Sequence, residues 1–551
     1  MKVRIVLPLI AVLLACGCGG SATGSASTTV LGLGTINRID SLNPFVLTEP
    51  QAFTVADLVF PELVSYAGKA GTAVVGDWAS SWHSSNGGRV WRFTLRPGKW
   101  SDGKPLTADD AVWTIRTELR YRSGPTALVA GALAGITDVA APDSHTLVIR
   151  YRHPVGDTLA QLASVWILPA HFWKTHLGNN GRDLKAFQPD QSLPMVAGGP
   201  YTVTKYNETG TTVLKQNPGF YGGRPSLRAI AITFYTNTDS LISDLRGGQI
   251  DATDQLPSTS VAAVRRMKGV HLVASPDSTV VAMLVNSNPR KHKNRELLDT
   301  RVRAAISLAV NRPGLVSVPF RGDARVWGNW VAPYSGAWAD PSLATPEHDV
   351  AKANAILDSL GYGRAANGIR QVPATTGVYS QPAHPMSYPF AVPGDLPFNG
   401  SRAASEIAQD LRRIGISIHE VDPGDTAASY AYYMGPGTSY QTADLGIWYY
   451  IGYIDPSYIL NFATTDQLAN YNDTGFSDPA YDALYAQQIR TVNQAARRAL
   501  VYRMEHVIAQ RMPYIPLVTT GGSMAYVGDW HGFNPSLYGW KSFFQQLRSG
   551  S

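Results

Sequence analysis

At 551 residues the chain is too long for one ordinary domain, and with 44% hydrophobic residues it has enough apolar mass for two or three cores, which excludes a disordered protein. Only 16% of residues are charged, while 51 Gly, 36 Pro and 10% aromatics describe a loop-rich globular protein whose surface is wetted mainly by Ser, Thr, Asn and Gly. A formal charge of +6 is small for this length, and no Lys/Arg tract with interleaved aromatics is present, so nucleic acid is not an expected partner and a mild attraction to an anionic membrane surface is the reading left for the charge.

Lys2 and Arg4 precede an apolar run from Ile5 to Ala15 that is too short to span a bilayer and reads as a secretory signal. The run ends Leu13-Leu14-Ala15-Cys16-Gly17-Cys18, which resembles the lipobox of bacterial lipoproteins. Cys16 has Leu three positions earlier and Ala directly before it; Cys18 has Ala15 and Gly17, and the choice between them stays open. These are the two cysteines of the chain, so the competing reading is a strained bridge inside a signal peptide. Two or more acyl chains, at about 0.8 kcal/mol per buried CH₂, would hold the protein on a membrane permanently.

Residues 1–18 are thus expected as signal and lipobox, and 19–29, rich in Gly, Ser, Thr and Ala, as a flexible tether. The folded body is expected to start near Val30, with strands at Val30 to Thr35 and Trp91 to Leu95. Helical spacing recurs in Val302, Ala305, Ile306, Ala309 and Val310, in Ala353, Ile356, Leu357 and Leu360 before Gly361, and in Ala404, Ile407, Ala408 and Leu411 before Gly415. A strand at Ile416 to Ile418 follows, so helix–turn–strand units predict a layered α/β fold. Gly363 to Gly400, rich in Pro and Gly, is expected as surface loops.

Three motifs imitate catalytic ones. Gly98 to Lys104 has P-loop spacing, but Pro105 stands where the magnesium-binding Ser or Thr is needed, and an alternating strand precedes it. Asp473-Thr474-Gly475 is the aspartic-protease triplet without the second copy that chemistry requires. Gly521-Gly522-Ser523-Met524-Ala525 falls one residue short of a nucleophile elbow, and no buried strand is expected before it. The 12 histidines show no metal-site pairing, so neither a metal nor a cofactor nor a catalytic set is expected.

Trp91 to Val112, carrying Trp100-Ser101-Asp102-Gly103-Lys104-Pro105-Leu106-Thr107-Ala108-Asp109-Asp110, resembles the signature of the peptide/nickel solute-binding proteins, family 5. Its residues also read as scaffold: Thr107 caps a helix whose first turn holds Asp109 and Asp110. Further matches follow in family order: Asp40 to Pro44, Gly76 to Trp82, Gly198-Gly199-Pro200-Tyr201 with Asn217-Pro218, Leu245 to Asp251, Val302 to Arg312, and Pro513 to Leu517. The resemblance implies an α/β fold, a bilobed periplasmic-binding-protein-like clamshell (type II, cluster C) with an extra domain inserted in the first lobe. Mapped here, lobe one is 30–64, 195–277 and 514–551, the extra domain 65–194, and lobe two 278–513.

The resemblance further implies a lipid-anchored, extracytoplasmic component of an ABC importer, expected as a monomer. It would bind a peptide or peptide-like solute by hinge closure and deliver it to a permease and ATPase complex. In peptide-binding members the extended ligand pairs its backbone with a strand of the second lobe. The matching stretch is Asp444 to Pro456, with Trp448 and Tyr450 expected for backbone contacts and Tyr449 and Tyr453 as aromatic walls. Four aromatics within six positions face both sides of a strand, so core packing competes with a cleft role at each. Gly452 stands where dipeptide and oligopeptide binders place the aspartate that pairs with the ligand's α-ammonium. Either Asp455 or another acid replaces it, or the ligand has no free amino terminus. A secreted hydrolase and a transport-incompetent regulatory lipoprotein of the same fold are the competing readings.

Overall fold

The computed structural model describes residues 30–549 apart from 68–72, 122–132, 134, 179–180, 395, 425 and 534–539. The expected signal, Cys16, Cys18 and the tether at 19–29 lie outside the described residues.

Val30–Thr35 alternates leucine and glycine because its two faces do different things. Leu31 and Leu33 are buried in a core, whereas a Cβ at Gly34 would sit 2.4 Å from Ile250 Cδ1, so the small residue admits the neighbouring chain. The strand lies mid-sheet, parallel to Ala229–Phe234 on one side and Ala252–Thr253 on the other. Tyr201–Lys205 and Thr211–Gln216 extend the first side; Ser523–Val527 and Val270–Ala274 extend the second, giving seven strands.

The second sheet has six strands in the order Arg325–Val326, Tyr514–Thr520, Thr279–Val285, Leu445–Ile451, Ser387–Ala391 and Ser417–Val421. Helices Thr300–Ala309, Val350–Ser359 and Gly400–Arg413 cover one face with Val302, Ala305, Ile306, Leu357, Ile407 and Leu411. Each starts on a side-chain cap: Asp299, Asp349 and Asn399 accept from the backbone N–H of Arg301, Lys352 and Arg402. A smaller antiparallel sheet, in the order Ala79–Ser85, Val90–Leu95, Thr146–Tyr151 and Ile136–Asp143, has its own core around Trp78, Phe93 and Ile149. The chain is therefore a bilobed α/β clamshell with an additional four-stranded domain.

Three expectations are corrected. Tyr514–Thr520, assigned to lobe one, hydrogen-bonds to Thr279–Val285 and so belongs to the second sheet; the chain re-enters the first sheet only at Ser523. That same strand is buried and directly precedes Gly521, against the expectation for the elbow-like motif, although a strand and not a helix follows it. Within the expected loops of 363–400, Ser387–Ala391 is a buried strand of the second sheet with Tyr388 and Phe390 fully covered. Pro389 is tolerated because its missing N–H falls on the side of Leu445–Ile451, where pairing covers only Phe390 and Ala391, while Met386 and Val392, in step with Phe390, bond to Ser417–Val421.

The signature segment is scaffold. Gly98–Lys99 and Pro105–Leu106 pair as a hairpin, which is incompatible with a P-loop. Asp110 Oδ2 accepts from the Thr107 N–H (2.9 Å) and from buried Trp100 Nε1 (3.2 Å), while Oδ1 accepts from the Ala170 N–H (2.9 Å). Ser101 N–H donates to Ala197 O (2.8 Å), stitching this domain to the chain that leads into the first sheet.

The two large sheets are joined twice, at 275–278 and at 521–522, where Ser275 N–H donates to Gly522 O (2.8 Å). Two adjacent crossings define a hinge.

Candidate functional site at the hinge edge of the second sheet

Leu445–Ile451 pairs along its whole length with Thr279–Val285, from Val285 opposite Leu445 to Thr279 opposite Ile451. On its other side the ladder with Ser387–Ala391 covers Leu445 and Gly446 and then stops. The strand thus runs on towards the hinge beyond its neighbour, with main-chain groups placed to pair with an added extended segment. Period-two alternation sends Leu445 and Ile447 into the helix-covered core, with Tyr449 half-buried against it, and sends Trp448 and Tyr450 into the core on the opposite face.

The position of this strand is fixed from behind by a buried acid. Tyr450 Oη donates to Asp473 Oδ2 (2.6 Å) and Tyr514 Oη to Oδ1 (2.8 Å), while the Trp330 ring packs on both tyrosines, with centroids 4.7 and 4.0 Å away. Burial pushes the Asp473 carboxyl up to about 6, against the two phenol donors that pull it down.

At the hinge end the strand becomes exposed and aromatic. Ile451 is 49% exposed, and Tyr453, Tyr458 and Tyr471 are each more than one-third exposed. Tyr453 meets Tyr458 edge-on (4.6 Å), Tyr458 meets Phe462 (5.3 Å), and Phe462 meets Tyr471 (5.3 Å), so the rings form one wall. Such a contiguous exposed apolar patch marks a binding surface more often than a bare exterior. The wall abuts the hinge, since Gly452 N–H donates to Ser278 O (2.6 Å).

The residues singled out in the sequence divide accordingly. Trp448 and Tyr450 have buried side chains, and their main-chain groups face Ala282 and Val280, in step with the Asn286 N–H to Asp444 O and Gly452 N–H to Ser278 O bonds, so the expected backbone contacts with a ligand do not fall on these two residues; Tyr449 is half-buried; Tyr453 is in the wall. Gly452 has no room for a side chain, because a Cβ there would lie 2.7 Å from Ala332 Cβ and 2.9 Å from Ser278 O. Asp455 is engaged: Arg497 Nη1 and Nη2 donate to its two oxygens at 2.6 Å each, and it accepts from the Ser457 N–H (3.0 Å). Sequence reasoning missed Tyr458 and Tyr471. Their one signal is the tyrosine-rich composition of a polar loop region, since Tyr458 sits on the short helix Ser457–Asn461 and Tyr471 on no regular element. Among the described residues no group of three or more His, Cys, Asp or Glu is placed to hold a metal ion.

Residues 73–469 match the family model described as bacterial extracellular solute-binding proteins, family 5 Middle. The chain belongs to that family. Its relatives include the probable D,D-dipeptide-binding periplasmic protein of Escherichia coli, 26% identical over 327 residues, 58% of this chain and 60% of the relative. The nickel-binding periplasmic protein of the same organism is 27% identical over 393 residues, covering 69% and 68%. The matched region spans about three-fifths of the length of the first of these relatives. Among solved structures, the fold is shared with the substrate-binding protein CtaP of Listeria monocytogenes, with a TM-score of 0.78 at 17% identity over 95% of this chain and 100% of that one. DppA of Helicobacter pylori, solved with the peptide STSA, gives a TM-score of 0.70 at 19% identity over 96% and 99%.

Proposed function

We propose that this chain is the extracytoplasmic solute-binding component of an ABC importer, held on the membrane by acylation of Cys16 or Cys18. It encloses a peptide or peptide-like solute between its lobes and hands it to the permease, without catalysing a reaction. The observation that carries the reading is the strand Leu445–Ile451, which outruns its neighbour at Gly446 and ends in the exposed wall of Tyr453, Tyr458 and Tyr471 beside the hinge. A strand edge gives sequence-independent affinity through the ligand main chain, and tyrosine rings add side-chain contact at low entropic cost.

The solute is one whose end near Gly452 carries no free ammonium. Position 452 admits no side chain, and Asp455 is already committed to Arg497. A buried ammonium there would lack a counter-charge, which is strongly unfavourable. Blocked or modified peptides meet this condition, and the relatives named for a D,D-dipeptide and for peptides support a peptide ligand without bearing on its amino end.

Mass spectrometry of the ligand co-purified with the protein, followed by calorimetry with that ligand in free and N-acetylated form, tests both statements. Tighter binding of the acetylated form is expected; a clear preference for a free ammonium overturns the ligand class. The anchor is tested separately. Replacing both Cys16 and Cys18 by Ser should release the protein from the membrane fraction, and continued sedimentation with membranes would contradict acylation.

A further inference from the structure

The four-stranded domain and the second lobe touch at a place remote in sequence from both hinge crossings. The loop after Thr146–Tyr151 brings Gly156 against the turn that links helices Pro479–Gln488 and Gln494–Arg511. Gly156 N–H donates to Ile489 O (2.7 Å), and Gln494 Nε2 donates back to Gly156 O (3.0 Å). Only glycine permits this approach: a Cβ would lie 2.6 Å from Thr491 O, 2.8 Å from Gln488 O and 3.0 Å from Arg497 Cδ. A second close approach lies alongside, where a Cβ at Gly88 would collide with Val492.

Beneath the loop sits a buried ion pair. Arg497 holds Asp455 with two bonds, reaches Ser457 Oγ (2.7 Å) and Gln488 Oε1 (3.0 Å), and lies under the Trp338 ring at 4.7 Å. The acid that faces this pair from the four-stranded domain is Asp157, next to Gly156 in the loop, and it accepts from Gln161 Nε2 (2.9 Å). The groups that face Asp157 are Asp455, Arg497 and Tyr485 from the second lobe, and Tyr66 and Tyr151 from the side of the four-stranded domain. Ile454 and Tyr334 of the second lobe are buried in the core of the four-stranded domain, so the polar contacts border an apolar seam.

We propose that the loop at 153–158 and the turn at 488–494 form an interdomain clasp, which holds the four-stranded domain against the second lobe independently of the two hinge crossings. Through the Arg497–Asp455 pair, the clasp also positions the segment carrying Tyr453 and Tyr458. The inference rests on the clamshell reading above, because a clasp has a role only if the lobes move apart.

The clasp carries its own pH dependence. Burial, with Asp455 adding to it and Arg497 opposing, pushes the Asp157 carboxyl up to about 6 from an ordinary 3.8. An acid that binds its proton more tightly when clasped favours the clasped state as pH falls. If opening restores the ordinary value, closure strengthens by about tenfold between about pH 7.5 and pH 5.

Hydrogen exchange of the Gly156 amide on the full chain without added ligand reads the clasp directly, because that amide's partner is in the other lobe. After correction for the intrinsic rate, its protection should rise by about tenfold from about pH 7.5 to pH 5. Asp157→Asn should flatten this rise. Gln494→Ala should lower the protection severalfold at both pH values, and Gly156→Val should enlarge the radius of gyration in small-angle scattering. Arg497 is left intact because its loss would strand Asp455 and endanger folding. An unprotected Gly156 amide, a protection that Gln494→Ala leaves unchanged, or unchanged dimensions in Gly156→Val each overturn the clasp; a rise that persists in Asp157→Asn overturns its pH dependence. None of these readouts uses a ligand, so they fail or hold independently of what the cleft binds.

Discussion

Replacing Asp473 by Asn tests the account of how the strand Leu445–Ile451 is held. The carboxylate accepts from Tyr450 and Tyr514 in a buried setting and titrates at about 6, against 3.8 in its ordinary state. Its folded-state value is raised, so the native protein binds this proton more tightly than the unfolded chain does. The stability it contributes on protonation is present at low pH and lost as pH rises through about 6. The full displacement corresponds to about 3 kcal/mol. Over the accessible window from about pH 7 to pH 5, the same linkage gives a gain of about 1.3 kcal/mol for the wild type. Asn keeps the shape and one acceptor but cannot titrate, and the tyrosine hydroxyls stay neutral throughout. The stability difference between wild type and Asp473→Asn should therefore shift by about 1.3 kcal/mol in favour of the wild type on going from about pH 7 to pH 5. Guanidinium unfolding of both proteins at the two pH values measures it, and acids elsewhere cancel in the difference. An unchanged difference, or a shift in favour of the variant at the lower pH, would refute the claim that Asp473 is buried behind the strand.

Lys541→Met should destabilise the fold by about 3–5 kcal/mol at neutral pH, because it leaves Glu62 and Asp77 buried without their cation. Acid should partly restore it, since burial already raises the Glu62 and Asp57 carboxyls, and melting temperatures at neutral and mildly acidic pH check this. Gly452→Ala should lower stability by about 1–3 kcal/mol by overpacking against Ala332 and Ser278, seen as a reduced melting temperature. Tyr453→Ala should weaken binding of the co-purified ligand by about 1–2 kcal/mol while leaving the melting temperature nearly unchanged, because the ring is partly exposed; calorimetry and thermal unfolding separate the two.

Local patterns carry much of this architecture. The leucine–glycine alternation of Val30–Thr35 and the apolar spacing of Thr300–Ala309 and Gly400–Arg413 are readable because each element's period matches its packing. Ser387–Ala391 is not, since flanking Pro and Gly hide a short strand whose burial comes from neighbours far away in sequence. Leu445–Ile451 is legible as a strand, but the sides taken by Trp448 and Tyr450 depend on register with Thr279–Val285. Asp455 reads as available in the sequence because its partner, Arg497, is 42 residues away on the helix Gln494–Arg511. The wall of Tyr458 and Tyr471 has no periodic signal at all, being assembled by loop geometry around Phe462.

The strand Ser523–Val527 lies between Ala252–Thr253 and Val270–Ala274 and is the piece that joins the outer strand to the rest of the first sheet. A chain that emerges amino terminus first has made everything up to Gly522 before that strand exists. The second lobe, complete by Thr520 in its sheet, can therefore close its core while the first sheet still exposes two unpaired edges, at Ala252–Thr253 and at Val270–Ala274. The residues from Ser523 onward thus act as a keystone, and loss of that carboxy-terminal strand would leave a folded second lobe attached to an open, association-prone first one.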